Sequence, residues 1–275
     1  MTIGRNPSGV GAGNVEVLSH LDDSMVRFRA LGPLEIVHGG RECTPSAPKV
    51  LQVLALLVLR ANQIVHMDTL IEQLWGEHPP RSALTTIQTY IYQLRRFLER
   101  NAFVGNGEEI VVTRVPGYIL RVDPRQIDLQ RFEQLAAIGR DQFRQGQYAE
   151  AARHLRAALA LWTGSPLANV HLGGQLAGYV ANLQEQRRAV LHLRIQSDIE
   201  LGLHRELIGE LRSLVVLHPL DEWLHGQLIR VLDRSGRRSD ALMVYHGLRH
   251  TLDAELGIPP SAEIQEIHQR LLRAS

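Results

Sequence analysis

The stretch "SALTTIQTYIYQLRRFLER", residues 82–100, has two chemically different faces when it is read at about 100° per residue. One face is apolar. The face opposite it carries hydroxyl, amide and guanidinium groups, with no carboxylate until Glu99 at its margin. Such groups suit phosphates and base edges, whereas an ordinary solvated helix face mixes both charge signs. Because a plain surface helix is also compatible with this pattern, the neighbouring sequence must decide. The apolar residues predict one buried stripe at spacings of three and four, formed by Leu84, Ile87, Ile91, Leu94 and Leu98.

The segments around this helix predict short strands, two more helices and a hairpin. "VRFRALGPLEIVHGG" alternates and predicts two or three strands. "KVLQVLALLVLRANQIV" follows Pro48 and is apolar nearly all round, which predicts a buried helix. "HMDTLIEQLWG" predicts a second helix with Asp68 as N-cap and Gly76 as C-cap. "EEIVVTRVPGYILRV" predicts a β-hairpin around Pro116 and Gly117. This order is that of a winged helix-turn-helix, whose third helix enters the major groove of DNA.

The second half of the chain predicts a helical repeat array. "GQYAEAARHLRAALALW", "LHRELIGELRSLVVLHP" and "GRRSDALMVYHGLRHTL" share one apolar register. Leu207 and Ala241 lie 34 positions apart, which is the tetratricopeptide period. Trp223, Leu228 and Gly236 fall where the first helix and the turn of such a unit belong.

We therefore predict a mainly α fold in three parts. A flexible N-terminal tail covers residues 1–24. A winged-helix DNA-binding domain with short β-strands and a wing hairpin covers residues 25–122. An all-α, tetratricopeptide-like domain covers residues 128–275, and its surface would bind a partner.

The composition narrows the classes of function. The chain has 275 residues, of which 44% are hydrophobic, with 30 basic and 29 acidic residues. Residues 25–122 hold eleven Lys/Arg against eight Asp/Glu, whereas residues 128–275 hold seventeen of each. One cysteine excludes an intramolecular disulfide and a zinc ribbon. No apolar run reaches membrane-spanning length and no secretory signal is evident, so we expect a cytoplasmic protein without membrane contact.

Signatures of catalysis are absent from the sequence. Neither G-x-x-x-x-G-K-[ST] nor H-E-x-x-H nor G-x-S-x-G occurs. His246 and His250 are four apart on a predicted helix, but only Asp253 is near enough to help, so we interpret them as an exposed pair. The sequence predicts a protein that is not an enzyme and that has neither cofactor nor metal.

Ten side chains are candidates for contact with DNA. Arg96 is the best candidate for a bidentate contact to guanine O6 and N7, and Gln93 can pair with an adenine edge or hold a phosphate. Arg114, near the hairpin tip, can reach a minor groove or a phosphate. The full set is Ser82, Thr85, Thr86, Thr89, Tyr92, Gln93, Arg95, Arg96, Arg114 and Lys49.

Four of these candidates have a second interpretation. Ser82 can cap its helix instead of contacting phosphate. Arg95 can form an internal ion pair, and Lys49 can be a solvated start residue of the first helix. Tyr92 can pack on a sugar or on the wing.

Longer stretches of the chain resemble the Streptomyces antibiotic regulatory protein family of bacterial transcription activators. Three stretches resemble the OmpR-type winged-helix domain of that family: "LGPLEI", "LIEQLWGEHPPRSALTTIQTYIYQLRRFL" and "RVPGYIL". Three later stretches resemble the bacterial transcriptional activation domain of the family: "LWTGSPLANV", "HPLDEWLHGQLIRVLDRSGRRSDALMVYHGLR" and "ELGIPPSAEI". The likeness extends over about residues 26–273.

The resemblance implies a function and partners beyond what spacing alone gives. It implies an activator of a secondary-metabolite (antibiotic) gene cluster that binds direct repeats in double-stranded DNA, as a homodimer, and acts in the cytoplasm at the nucleoid. It also implies recruitment of the RNA polymerase holoenzyme through its sigma factor. A different class of function is a tetratricopeptide-type adaptor that makes protein contacts and binds no DNA.

Overall fold

The computed structural model describes residues 26–101 and 110–273, which divide into two compact units. The first unit takes the chain up to Ala136 together with Ala157–Arg188, and the second takes Ala137–Arg156 and the chain from Ala189 onward. The predicted tail lies outside the described residues. The domain boundaries predicted from the sequence, residues 25–122 and 128–275, stay predictions.

The first unit begins with a three-stranded antiparallel sheet. Strands β1 (Arg27–Arg29), β2 (Glu35–His38) and β3 (Arg41–Glu42) are adjacent in that order. Gly39 and Gly40, with φ of 56° and 75°, join β2 to β3 in the positive-φ conformation that a tight two-residue hairpin needs. The predicted strands at this end of the chain are confirmed.

Three helices form the body of this unit: α1 (Pro48–Leu59), α2 (Met67–Trp75) and α3 (Ala83–Arg100). Every residue of α1 from Val50 to Val58 is buried, which confirms the helix predicted from its uniformly apolar sequence. The predicted N-cap of α2 at Asp68 is wrong: His66 occupies that position, and Asp68 lies in the first turn, where the helix dipole favours an acidic group. Gly76 does end α2.

A second sheet contains the predicted hairpin. Strands β5 (Val111–Arg114) and β6 (Gly117–Leu120) are antiparallel, and β6 also pairs with β4 (Val65–His66). Since α2 begins at the residue after β4, this sheet ties the hairpin to the helical body. The hairpin is the wing of a winged helix-turn-helix.

Residues far along the chain complete the first unit. Helices α4 (Asp128–Arg144), α5 (Tyr148–Leu159) and α6 (Gly174–Glu200) follow the wing and a short 3₁₀ helix, Pro124–Gln126, and the residues of each are divided between the two units. The loop before α6 bonds to the first sheet region, because Asn169 Oδ1 accepts from the Leu34 N–H at 2.7 Å and its Nδ2 donates to the Leu34 carbonyl at 3.1 Å. The segment quoted above as "LWTGSPLANV" thus has a structural role beside β2.

Asp128, the first residue of α4, bonds to the main chain near β1. Its carboxylate accepts the N–H groups of Ala30, Leu31 and Leu129 at 2.7–2.9 Å. Burial raises the pKa of Asp128 to about 6, although the accepted N–H bonds and Arg29 oppose that shift.

The pKa of Asp128 predicts a pH effect on stability. The carboxyl of Asp128 holds its proton more tightly in the native state than in the unfolded state. Its contribution to the free energy of unfolding is therefore fully present below about pH 4 and is lost as pH rises through 6. A pKa difference of about 2 corresponds to about 3 kcal/mol. In denaturant titrations between pH 4 and 7, the unfolding free energy of the wild type should therefore rise relative to Asp128→Asn as pH falls. An opposite slope would show that the N–H bonds outweigh burial.

The second unit has a helical core. Helices α7 (His204–Leu217), α8 (Glu222–Arg234), α9 (Arg238–Leu256) and α10 (Ala262–Arg273) surround it. Leu207 and Ala241, the pair with the 34-residue spacing, are both buried there. Gly236 lies in the turn between α8 and α9, as predicted. The structure thus confirms a mainly helical chain whose small antiparallel sheets lie near its N-terminus.

Two of the tryptophans pack against other rings. Trp162 packs edge-on against Phe132 with ring centroids 5.3 Å apart, and Trp223 stacks on His192 at 3.7 Å. Within residues 26–101 and 110–273, no group of three His, Cys, Asp or Glu side chains is arranged to hold a metal ion. None of the helices described is both long and apolar enough to cross a bilayer.

Candidate nucleic-acid interface

Helix α3 is anchored by the apolar stripe that its sequence predicts, with one exception. Ile87, Ile91, Leu94 and Leu98 are at most 1% exposed. Leu84, however, is 55% exposed, and Ala83 on the other edge of the stripe is buried in its place. The two positions flank the stripe at equal angles, so the helical period could not distinguish them.

The outward face of α3 is mainly polar, and most of its exposed residues are among the predicted DNA contacts. Two further exposed residues are not. Gln88 and Arg100 are also exposed, and Gln88 was missed because it lies at the edge of the polar face in the helical projection. The first turn contains no acidic residue. A carboxylate there would repel phosphate, whereas the helix N-terminus attracts it. The exposed members of the predicted set on this helix are Ser82, Thr85, Thr89, Tyr92, Gln93 and Arg96.

Two threonine hydroxyls of α3 already donate hydrogen bonds to main-chain carbonyls. Thr86 Oγ1 donates to the Ser82 carbonyl at 2.9 Å, and Thr89 Oγ1 donates to the Thr85 carbonyl at 3.0 Å. An ionised phosphate only accepts hydrogen bonds. In these rotamers the two side chains can therefore offer a methyl group to thymine or an oxygen lone pair to a base amino group, but no proton to a phosphate.

Ser82 occupies the N-cap position without acting as a cap. Its backbone conformation (φ −89°, ψ 11°) differs from the extended form of a capping residue, and its side chain makes no capping hydrogen bond. The alternative interpretation as a cap is therefore wrong. Its exposed hydroxyl stays at the start of α3, where the first N–H groups of the helix point outward.

Arg95 connects α3 to the wing. Its Nε and Nη2 donate to the Val111 carbonyl at 2.9 and 2.7 Å, and Nη2 also donates to Thr113 Oγ1 at 2.9 Å. The sequence reasoning weighed an ion pair against a phosphate contact and missed this main-chain bond. Beside it, burial raises the pKa of the Tyr118 hydroxyl and Arg95 partly offsets that rise. The guanidinium fixes the position of β5 relative to the polar face of α3.

Removing this guanidinium should loosen the wing. Arg95→Ala leaves the Val111 carbonyl without its donor, and we expect a loss of about 1.5 kcal/mol of unfolding free energy. Arg95→Lys should recover little, because a single ammonium cannot reproduce the forked contact. Chemical denaturation of both variants checks this, with the exposed Arg100→Ala as a matched control. Equal stability of Arg95→Ala and Arg100→Ala would contradict the role of Arg95.

Arg96 points away from the core and keeps a weak partner. Its Nη1 lies 3.3 Å from Glu99 Oε2, one turn further along α3, and its side chain is 49% exposed. An exposed pair of this kind contributes at most about 1 kcal/mol. Arg96 can therefore exchange Glu99 for a base edge at small cost.

Lys49 has an internal role that the sequence did not reveal. Its Nζ donates to the Leu74 carbonyl at 2.6 Å, in the last turn of α2. A cation at the C-terminus of a helix is favoured by the helix dipole. This bond joins α1 to α2 and shows that Lys49 is not simply a solvated start residue, whereas its contact with a phosphate stays a prediction.

The wing presents Arg114 and Val115 at its turn. Arg114 ends β5 and is exposed, and its guanidinium has no ion-pair partner among the residues of the described ranges. Val115 is 91% exposed beside it. The wing therefore carries one available cation at its tip.

Two family models match the chain. Residues 127–272, more than half of the chain, match the model of the bacterial transcriptional activator domain, and residues 41–120 match that of the transcriptional regulatory protein C-terminal domain. The chain is 41% identical to the regulatory protein DnrI of Streptomyces peucetius over 252 residues, covering 90% of this chain and 93% of DnrI.

This chain belongs to the Streptomyces antibiotic regulatory protein family. It is 35% identical to the regulatory protein AfsR of Streptomyces griseus, but the match covers 90% of this chain and 25% of AfsR. The structure of Mycobacterium tuberculosis EmbR in complex with a low affinity phosphopeptide superposes with a TM-score of 0.83 at 32% identity, covering 91% of this chain and 65% of EmbR. The family makes this chain a non-enzymatic, DNA-binding transcriptional activator, as its sequence predicted.

Proposed function

We propose that this activator binds direct repeats in promoter DNA by inserting α3 into the major groove and placing the wing tip on the adjacent backbone. The observation that supports this most is the outward face of α3. It presents hydroxyl, amide and guanidinium groups beside a first turn without acidic residues, on a helix whose opposite side is buried. These groups match the donors and acceptors of phosphates and base edges.

Direct repeats set the geometry of the proposed homodimer. Two copies on repeated elements face the same direction, so their contact is head-to-tail, whereas a two-fold symmetric dimer would need a palindrome. Elements about 10–10.5 base pairs apart would place both copies on one side of the duplex.

The second unit supports the rest of the proposed activity. Its helices resemble a repeat array of the kind that binds protein partners, and we assign to it contacts with the partner copy or with the sigma factor of the RNA polymerase holoenzyme. The likeness to DnrI and AfsR supports a target in an antibiotic or other secondary-metabolite gene cluster. This activity would place the protein in the cytoplasm, at the nucleoid.

The sequence alone also allowed an adaptor that binds proteins but no DNA, which the family of this chain does not favour. The two are separated by the salt dependence of binding to promoter fragments. Phosphate contacts release counterions, so a DNA-binding chain loses affinity steeply as salt rises. An adaptor would give no such dependence.

Footprinting on promoters near its gene tests the proposal. We expect two protected stretches that contain the same element in the same orientation, about one helical turn apart. Protection of inverted elements would contradict the head-to-tail arrangement. Binding without any preferred sequence would contradict base contacts by α3.

The wing makes a separate prediction. Arg114→Ala should weaken binding uniformly across sequences and reduce the slope of log affinity against log salt by about 1, because one phosphate contact is lost. The matched control is Arg205→Ala, an exposed arginine of α7, which should leave the slope unchanged. Equal slopes for wild type and Arg114→Ala would show that the wing tip does not meet the backbone.

A further inference from the structure

The exposed leucine of α3 belongs to a row of side chains that the sequence pattern concealed. Leu84, Gln88 and Tyr92 are four residues apart, and all three are exposed. Leu84 is 55% and Tyr92 is 62% exposed. Side chains four apart lie one above another on a helix surface. The row runs along one edge of the polar face that α3 presents.

The location of Leu84 makes its exposure informative. Single exposed leucines are common on protein surfaces and need no explanation by themselves. Leu84, however, is the second residue of α3, and in helix-turn-helix proteins the N-terminal residues of the third helix approach base edges. Its exposed neighbours Ser82, Thr85 and Gln88 are all polar, so the leucine is an apolar group with polar side chains on either side.

The major groove offers one apolar feature that a leucine can recognise. Only thymine presents a methyl group there, at C5, and contact with an apolar side chain removes both groups from water. Gln88 can bind the N6 and N7 edge of an adenine. Four residues span about 6 Å along a helix, and base pairs are about 3.4 Å apart, so the two side chains would meet positions one or two steps apart.

We propose that Leu84 recognises the 5-methyl group of a thymine and that Gln88 recognises an adenine edge one or two base pairs away. This inference rests on the proposed function, because it needs α3 in the major groove. It adds a source of sequence preference that is independent of Arg96. It also explains why a leucine at a solvent-facing position is compatible with a nucleic-acid surface.

The test uses thymine without its methyl group. Deoxyuridine replaces thymine at one position at a time in the footprinted site, and dissociation constants are measured by fluorescence anisotropy for full-length wild type and Leu84→Ala. For the wild type we expect one position at which deoxyuridine weakens binding by about four-fold, the size expected for one buried methyl group. Leu84→Ala should bind the thymine site about as weakly and be insensitive to deoxyuridine at that position alone.

Leu217→Ala is the matched control. Leu217 is a 70% exposed leucine of α7, and its replacement should leave the sensitivity to deoxyuridine unchanged. If the wild type binds its footprinted site but Leu84→Ala keeps the same sensitivity, or no position is sensitive, Leu84 does not recognise thymine and the proposed function stands. If the wild type shows no preferred site, the proposed function fails, and this inference fails with it.

Discussion

Arg96→Ala is expected to weaken binding to the cognate site by about 1–3 kcal/mol and to relax base preference at one position. Arg96 is half-exposed on the polar face of α3, and it forms a loose ion pair with Glu99. A bidentate contact to guanine O6 and N7 accounts for an effect of this size. Selection from a randomised site, followed by affinity measurements on each single-base variant, gives the loss of affinity and the change in base preference.

Glu99→Gln provides the control for this experiment. It removes the partner of Arg96 but keeps the guanidinium, so binding should be unchanged or slightly tighter, because a negative charge leaves the interface. If Arg96→Ala loses affinity equally on every sequence, Arg96 contacts a phosphate and base recognition belongs to other residues of α3.

Gly117→Ala is expected to lower the free energy of unfolding by about 3 kcal/mol. A Cβ atom at this position would lie 1.9 Å from the Val65 carbonyl oxygen and 2.9 Å from His66 Cα. Both are backbone atoms of β4, the strand that pairs with Gly117 and ties the wing to α2. The sheet must separate there, so thermal unfolding should shift down and wing-dependent DNA binding should weaken.

Gly178→Ala is the matched control, since a Cβ there has nothing within 4 Å and the residue lies in α6. Alanine in a helix is favoured over glycine, and the control should be about 0.5–1 kcal/mol more stable than wild type. If Gly117→Ala is as stable as Gly178→Ala, β4 and β6 do not pair as closely as the structure has them.

The sequence predicted local structure well because its patterns are local. The stripe of α3, the uniformly apolar α1 and the hairpin around Pro116 each follow from spacings within one element. The match to the family models over residues 41–120 and 127–272 agrees with the architecture built from those patterns.

Two of the contacts that the sequence did not predict join different elements, whereas the N-cap placed at Asp68 was a local error. Lys49 bonds to a carbonyl 25 residues away, and Arg95 to one 16 residues away. The hydrogen bonds that Asp128 accepts from N–H groups 97 and 98 residues earlier likewise lie outside any local pattern. A helical period fixes the direction of a side chain but not its neighbour. The same limit placed Leu84 in the core, since its angle to the stripe equals that of Ala83.

The most direct test of base recognition by α3 is to capture fragments of the source genome with the purified full-length chain in dilute buffer. The bound fragments should share one short element, present twice in the same orientation about 10–11 base pairs apart, and should dissociate steeply as salt rises. If no fragment is retained above the background even at the lowest salt, α3 does not bind DNA.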